Sequence, residues 1–127
     1  MTIDLNHTIV HSKDNWAAAR DVAEVLGLDE PAAFGPFAVI ELGNEVSLDF
    51  MVVDGEIGSQ HYAFLVSEED FDAIHARLQK AGRQWWADPA GRRLGEINHN
   101  DGGRGLYWEG PDGHWLEIIT RPYGSGA

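Results

Sequence analysis

The chain repeats itself, and the repeat limits what it can fold into. His7 and His61 lie 54 residues apart, and each opens an apolar strand that runs into a helical pattern closed by glycine. The first strand is "LNHTIVH" (5–11). Ser12 or Asp14 is placed to cap the helix after it, whose apolar stripe of Trp16, Ala19, Val22, Ala23 and Leu26 stops at Gly27. The second strand is "HYAFLV" (61–66). Ser67 and Asp70 give its helix a cap signal, and Phe71, Ile74, Leu78 and Ala81 lead to Gly82. Each half then closes with an antiparallel hairpin. In the first half, "FAVIEL" (37–42) and "EVSLDFMVV" (45–53) turn around Gly43-Asn44. In the second, a strand near "GRQWWA" and a long polar loop precede "GLYWEGPDGHWLEIIT", which turns at Pro111-Asp112-Gly113.

A βαβββ unit leaves one sheet face bare and cannot bury it alone, so such units come in pairs. The expected class is α+β. Two βαβββ modules, about 1–55 and 58–122, would curl into a cup-shaped, partly open barrel with the helices outside. A length of 127 residues suits one such domain, 1–127, and "GSGA" (124–127) reads as a disordered tail.

The last strand of each half carries one acid among apolar residues, Asp49 in the first and Glu117 in the second. A buried carboxylate is costly unless it is paired or coordinates a metal. The repeat puts His7, Asp49, His61 and Glu117 at equivalent positions. Two imidazoles and one or two carboxylates suit a divalent cation with coordination positions left open. These donors are compatible with iron(II), zinc, manganese or nickel. Asp49 is either a further ligand or a solvent-facing acid. The chain has no cysteine, which removes thiolate ligands, a cysteine nucleophile and any disulfide framework. His11 shares a strand face with His7, and is either a lining residue of the cup or a surface histidine. His75 reads as solvated on the outer helix, and His114, beside the hairpin turn, as structural.

A formal charge of −12 speaks against nucleic acid and anionic membrane as partners. No run resembles a transmembrane segment, and "MTIDLNHTIV" lacks the basic flank and cleavage site of a signal peptide, so a cytoplasmic location is expected. A small molecule is the expected partner. The loop "GRRLGEINHNDGGRG" (91–105) is long and rich in donors. Asn98 is a candidate substrate contact there, and Arg92, Arg93 and Arg104 are candidates to meet a substrate carboxylate. Trp85, Trp86, Trp108 and Trp115 fit core and dimer packing better than a wall for a planar substrate, and a homodimer is expected.

The paired units, the initial histidine of each half and "GPDGHWLEI" resemble the vicinal oxygen chelate superfamily, over nearly the whole chain. That group includes glyoxalase I, bleomycin-resistance proteins, extradiol dioxygenases and fosfomycin-inactivating enzymes. The resemblance implies His7, His61 and Glu117 as metal ligands, with Asp49 where glyoxalase I has an additional carboxylate. A second resemblance is to the extradiol dioxygenase signature: His99, six residues, Leu106-Tyr107, Pro111, Gly113 and Glu117. It implies iron(II), with His99 and Tyr107 as groups that hydrogen-bond substrate or oxygen. Gly110 departs from the signature, and Val46 to Gln60 offers no counterpart of the additional catalytic histidine of those enzymes. The leading expectation is an extradiol-type dioxygenase. Glyoxalase-like isomerisation, epoxide opening and drug sequestration without catalysis are the alternatives.

Overall fold

Alternation in the first strand sets the layers of the first unit. In β1 (His7–Ser12) Val10 and Ser12 are buried, while His7, Ile9 and His11 are exposed, so one face packs and the other stays open. The packed face meets α1 (Asn15–Leu26). The Asp14 carboxylate accepts from Ala17 N at 3.1 Å to start this helix, and Gly27, in the left-handed region at φ 74°, ends it. The buried stripe is Ala18, Ala19, Val22, Ala23 and Val25, small enough to bring the helix close to the sheet. Trp16 and Leu26 flank it half-buried, with the neighbouring Asn15 and Val25 in the inward positions. Its amide donates to Pro36 O at 3.0 Å and Phe50 O at 3.2 Å, which ties the helix start to the sheet.

The structure, a computed structural model, describes residues 1–126 and divides into two units, Met1–Gly58 and the residues from Ser59 onward. The first unit continues with β2 (Ala32–Phe34), β3 (Phe37–Glu41) and β4 (Ser47–Val52). The strands lie in the order β1-β4-β3-β2, with β1 parallel to β4 and the other pairs antiparallel. In the β3–β4 turn the left-handed residue is Glu45, at φ 66°, rather than Gly43 or Asn44.

The second unit repeats the plan with β5 (His61–Leu65), α2 (Glu68–Lys80), β6 (Gly105–Glu109) and β7 (Trp115–Ile119). Here the order is β5-β7-β6, and β5 runs parallel to β7. Ser67 Oγ accepts from Asp70 N at 3.0 Å, and Glu68, Glu69 and Asp70 set negative charge at the helix start, where the macrodipole favours it. Phe71, Ile74 and Leu78 of α2 are buried, as are Leu106, Trp108, Leu116 and Ile118 of the sheet. The strand expected near "GRQWWA" is reduced to bridges from Trp86 to Tyr107 and Leu94. The backbone is diverted there by Asp88, whose carboxylate accepts from Arg92 N at 3.0 Å and Arg93 N at 2.7 Å.

The α+β class is as expected: each unit is a mixed sheet with one helix, and neither sheet closes into a barrel. The registers of the two sheets match. Asp49 lies opposite Ile9, two residues beyond His7, and Glu117 lies opposite Ala63, two residues beyond His61. On the other side Asp49 faces Val39, and Glu117 faces Tyr107. Gly124 N and Gly126 N, from the stretch whose composition reads as disordered, donate to Asp101 Oδ1 at 3.1 and 3.3 Å, and Ala127 of that tail lies outside the described residues. Among the described residues, no helix is long and apolar enough to cross a membrane.

His75 is not the solvated residue its place on the outer helix suggests. Its ring stands edge-on to Trp85 at 4.7 Å and tilts against Phe71 at 6.3 Å, with Nε2 buried and without a hydrogen bond. Burial, and next the nearby Arg104 charge, lower its pKa below the usual histidine value, although Asp72 acts the other way. The unfolded chain then binds the proton more readily, so stability contributed by neutral His75 is present above its unfolded pKa and is lost as pH falls from about 7 toward 5. Denaturant titrations across that window should give a smaller loss of midpoint for His75→Gln than for the wild type. An equal loss in both would remove His75 as a source of the pH dependence.

Candidate metal centre

Glu117 sits in the middle of the three-stranded sheet, between Ala63 on β5 and Tyr107 on β6, and is only 1 % exposed. Strand alternation turns it to the same face as His61, away from α2. His61 Nε2 lies 2.8 Å from Glu117 Oε1, and the imidazole remains 47 % exposed. The second carboxylate oxygen, Oε2, accepts from the Tyr123 hydroxyl. Tyr107 Oη lies 3.0 Å from Tyr123 Oη. A phenol has one proton, and that of Tyr123 is used on the carboxylate, so Tyr107 is the donor to Tyr123.

The partners of Glu117 are an imidazole and a phenol, neither with fixed positive charge. The carboxylate lies beside a histidine that is half open to the outside. Burial, and then the bond to Tyr123 and the Glu117 charge, push the Tyr107 hydroxyl far above the usual tyrosine range. Burial, and next the bond to Glu117, raise that of Tyr123. Both phenols stay protonated and act as donors at neutral pH. This donor set fits a divalent cation: an imidazole nitrogen and a carboxylate oxygen meet on one sheet face, and among the described residues no lysine or arginine pairs with the acid.

The hairpin turn holds His61 in place. Ser59 Oγ donates to Gly113 O at 2.7 Å, Gln60 N to His114 Nδ1 at 3.0 Å, and Trp115 N to Gln60 O at 2.9 Å. Buried His114 is thus the link between the turn and the residue just before His61. The turn itself needs two left-handed residues, Asp112 at φ 60° and Gly113 at φ 77°. Gly110 has a packing reason: a Cβ there would come within 2.8 Å of Leu116 Cδ1.

The other candidates take different places. His7, Asp49 and His11 lie on the open face of the first sheet. His7 Nδ1 is 2.8 Å from Asn6 Oδ1, and Asp49 accepts from Ser47 Oγ at 2.8 Å, so neither bonds the other. A concavity of about 490 Å³ opens on this face, lined among others by His7, Ile9, Phe37, Val39 and Asp49. Among the described residues, no three His, Asp or Glu side chains cluster as a metal site; His61 and Glu117 are the two that meet. His99 is exposed at the start of a short 3-10 turn and makes no capping bond.

Of the loop residues, Arg104 is committed to α2. It pairs with Glu68 at 2.7 Å and Asp72 at 2.8 Å and lies over the Phe71 ring at 4.3 Å. Arg93 pairs with Glu96 at 3.3 Å on the surface. Asn98 is a buried latch, donating to Ala87 O at 2.9 Å and packing against Gly105, where a Cβ would come within 2.8 Å of its Oδ1. Sequence reasoning missed Tyr123. The one local sign is an aromatic residue after proline in an otherwise small, polar tail, "RPYGSGA".

No family model matches the chain. The glutathione transferase FosA of Serratia marcescens is 31% identical over 124 residues, which cover 93% of this chain and 81% of that protein. That likeness, with the paired strand–helix–sheet units, makes the chain a member of the vicinal oxygen chelate superfamily. Among solved structures it is similar to "Oxidase ChaP-H2", at 59% identity and a TM-score of 0.96 over 100% of both chains. "Oxidase ChaP-H1" follows at 58% identity and a TM-score of 0.95, over 97% of this chain and 99% of that one.

Removing the His114 link tests how the site is held. His114→Phe deletes the acceptor of Gln60 N and should destabilise the fold by roughly 0.5–1.5 kcal/mol, the usual net contribution of one hydrogen bond. Urea unfolding would measure it, and an unchanged midpoint would show that the turn does not depend on this bond.

Proposed function

We propose that the protein is a metal-dependent oxidising enzyme that binds two adjacent oxygens of a small, catechol-like molecule, in the manner of an extradiol-type dioxygenase. The observation that carries the reading is full-length identity of 59% to Oxidase ChaP-H2, in a chain that pairs His61 with a buried Glu117. His61 Nε2 and Glu117 Oε1 are two of the ligands. His7 and Asp49, at the register positions in the first unit equivalent to His61 and Glu117, are the further ligand candidates. Iron(II) is the preferred ion by the extradiol signature; zinc, nickel and manganese suit the same donors. The cation would supply positive charge that stabilises an anionic substrate oxygen.

The chain's own groups do the rest. Glu117 orients the His61 ring. Tyr107, on the strand next to Glu117, presents a hydroxyl whose proton can be turned from Tyr123 to a substrate oxygen as charge develops there. His99 is the other group proposed to act on substrate, with His11 and Arg93 as candidate contacts; Asn98 and Arg104 serve the fold instead, through Ala87 and through Glu68 and Asp72. A homodimer is the proposed assembly, since Met1, Ile3, Leu5 and Phe34 leave apolar surface exposed on the single chain.

A second reading is supported by the 31% identity to a glutathione transferase: addition of glutathione to an electrophile such as an epoxide. Oxygen uptake separates the two. Iron(II)-loaded protein should consume oxygen with some member of a catechol panel. Tyr107→Phe should slow turnover by roughly 10²–10⁴ while retaining iron, and His61→Ala or Glu117→Ala should lose most of the iron. No uptake across the panel, with glutathione adducts formed from an epoxide, would replace the first reading with the second.

A further inference from the structure

We infer that Tyr123 is a positioning residue for the metal centre, and that the C-terminal strap carrying it is part of that centre; this rests on the reading of Glu117 as a ligand. A carboxylate with both oxygens free can rotate and can bind a cation through one oxygen or two. Here Tyr123 occupies Oε2 and leaves Oε1 to face His61. The arrangement is specific. Tyr123 is 53% exposed as a residue, yet its hydroxyl reaches a carboxylate that is 1% exposed, so the ring's polar end is what is buried. Phenol is also the right chemistry. A lysine or arginine at the same place would neutralise the carboxylate and oppose a cation, whereas a neutral donor orients it and preserves its charge.

The strap has its own anchors. Asp101 Oδ1 accepts from Gly124 N and Gly126 N at 3.1 and 3.3 Å, immediately after Tyr123. Ser125 N donates to Pro122 O at 3.1 Å, and Arg121 Nη2 to Ser125 O at 3.2 Å. The Asn100 side chain also bonds the Tyr123 hydroxyl. A chain of contacts follows: Asp101 holds the strap, the strap holds Tyr123, and Tyr123 holds Glu117. The same hydroxyl accepts the Tyr107 proton, so it also sets where Tyr107 points before a substrate arrives.

Tyr123→Phe keeps the ring and removes only the hydroxyl; Asp101→Ala loosens the strap and leaves the phenol. Metal-stripped wild type, both variants and Glu117→Ala would be titrated with cobalt(II), using calorimetry for affinity and visible absorption for coordination. Tyr123→Phe should bind cobalt(II) roughly 10–100-fold more weakly, the usual effect of losing a partner of a metal ligand. Its absorption spectrum should also change shape as the carboxylate turns. Asp101→Ala should shift affinity the same way by less. Wild-type affinity and spectrum in Tyr123→Phe, with binding lost in Glu117→Ala, would overturn the role of Tyr123 and leave the metal reading standing. Failure of the wild type to bind cobalt(II) would overturn both.

Discussion

One buried carboxylate organises the second unit. Glu117 sits at the centre of a sheet whose other face is packed with Leu106, Trp108, Leu116 and Ile118, and an acid in that position must be satisfied from its own side. The chain meets the requirement with three neutral or titratable groups, His61 on the neighbouring strand and Tyr107 and Tyr123 in a hydrogen-bonded line. An arginine would have stabilised the acid more simply and left it inert. Neutral partners add no positive charge that would repel a cation.

The two halves carry the same plan to different ends. Register puts Asp49 and Glu117 at corresponding points, each opposite the residue two beyond a histidine. Asp49 has the shorter side chain and is engaged by Ser47, and Val39 stands where Tyr107 stands in the second half. The polar network is therefore built once, in the second unit. The first unit has an open concave face on which His7 and Asp49 stand beside Ile9, Phe37 and Val39.

Much of this was legible in the sequence, because it depends on alternation and capping. Both helices and the β3–β4 and β6–β7 hairpins follow from periodic patterning and from the Asp14, Ser67 and Pro111-Asp112-Gly113 signals; the repeat points to His61 with Glu117, and the extradiol resemblance points to Tyr107. What was not legible depends on single side chains diverting the backbone or filling a gap. Asp88 bends the segment after Trp86 out of strand geometry, and Asn15 rather than Trp16 takes the inward position at the helix start. The β2 strand has only three residues, all exposed, and leaves no periodic trace. Tyr123 escaped because its partner is six residues back, around a turn anchored by Asp101, and no local pattern encodes such a return. Arg104 shows the opposite case: a cation in a polar loop looks available, yet Glu68 and Asp72 on α2 already hold it.

If His61 and Glu117 are ligands, a cation joins them where the metal-free protein has only a hydrogen bond. Crystals grown with manganese(II) and measured at its absorption edge address this directly. One anomalous peak per chain is expected, within coordination distance of His61 Nε2 and Glu117 Oε1, with Tyr123 still on the other carboxylate oxygen. No peak at that position, with the two side chains still bonded directly to each other, would contradict it.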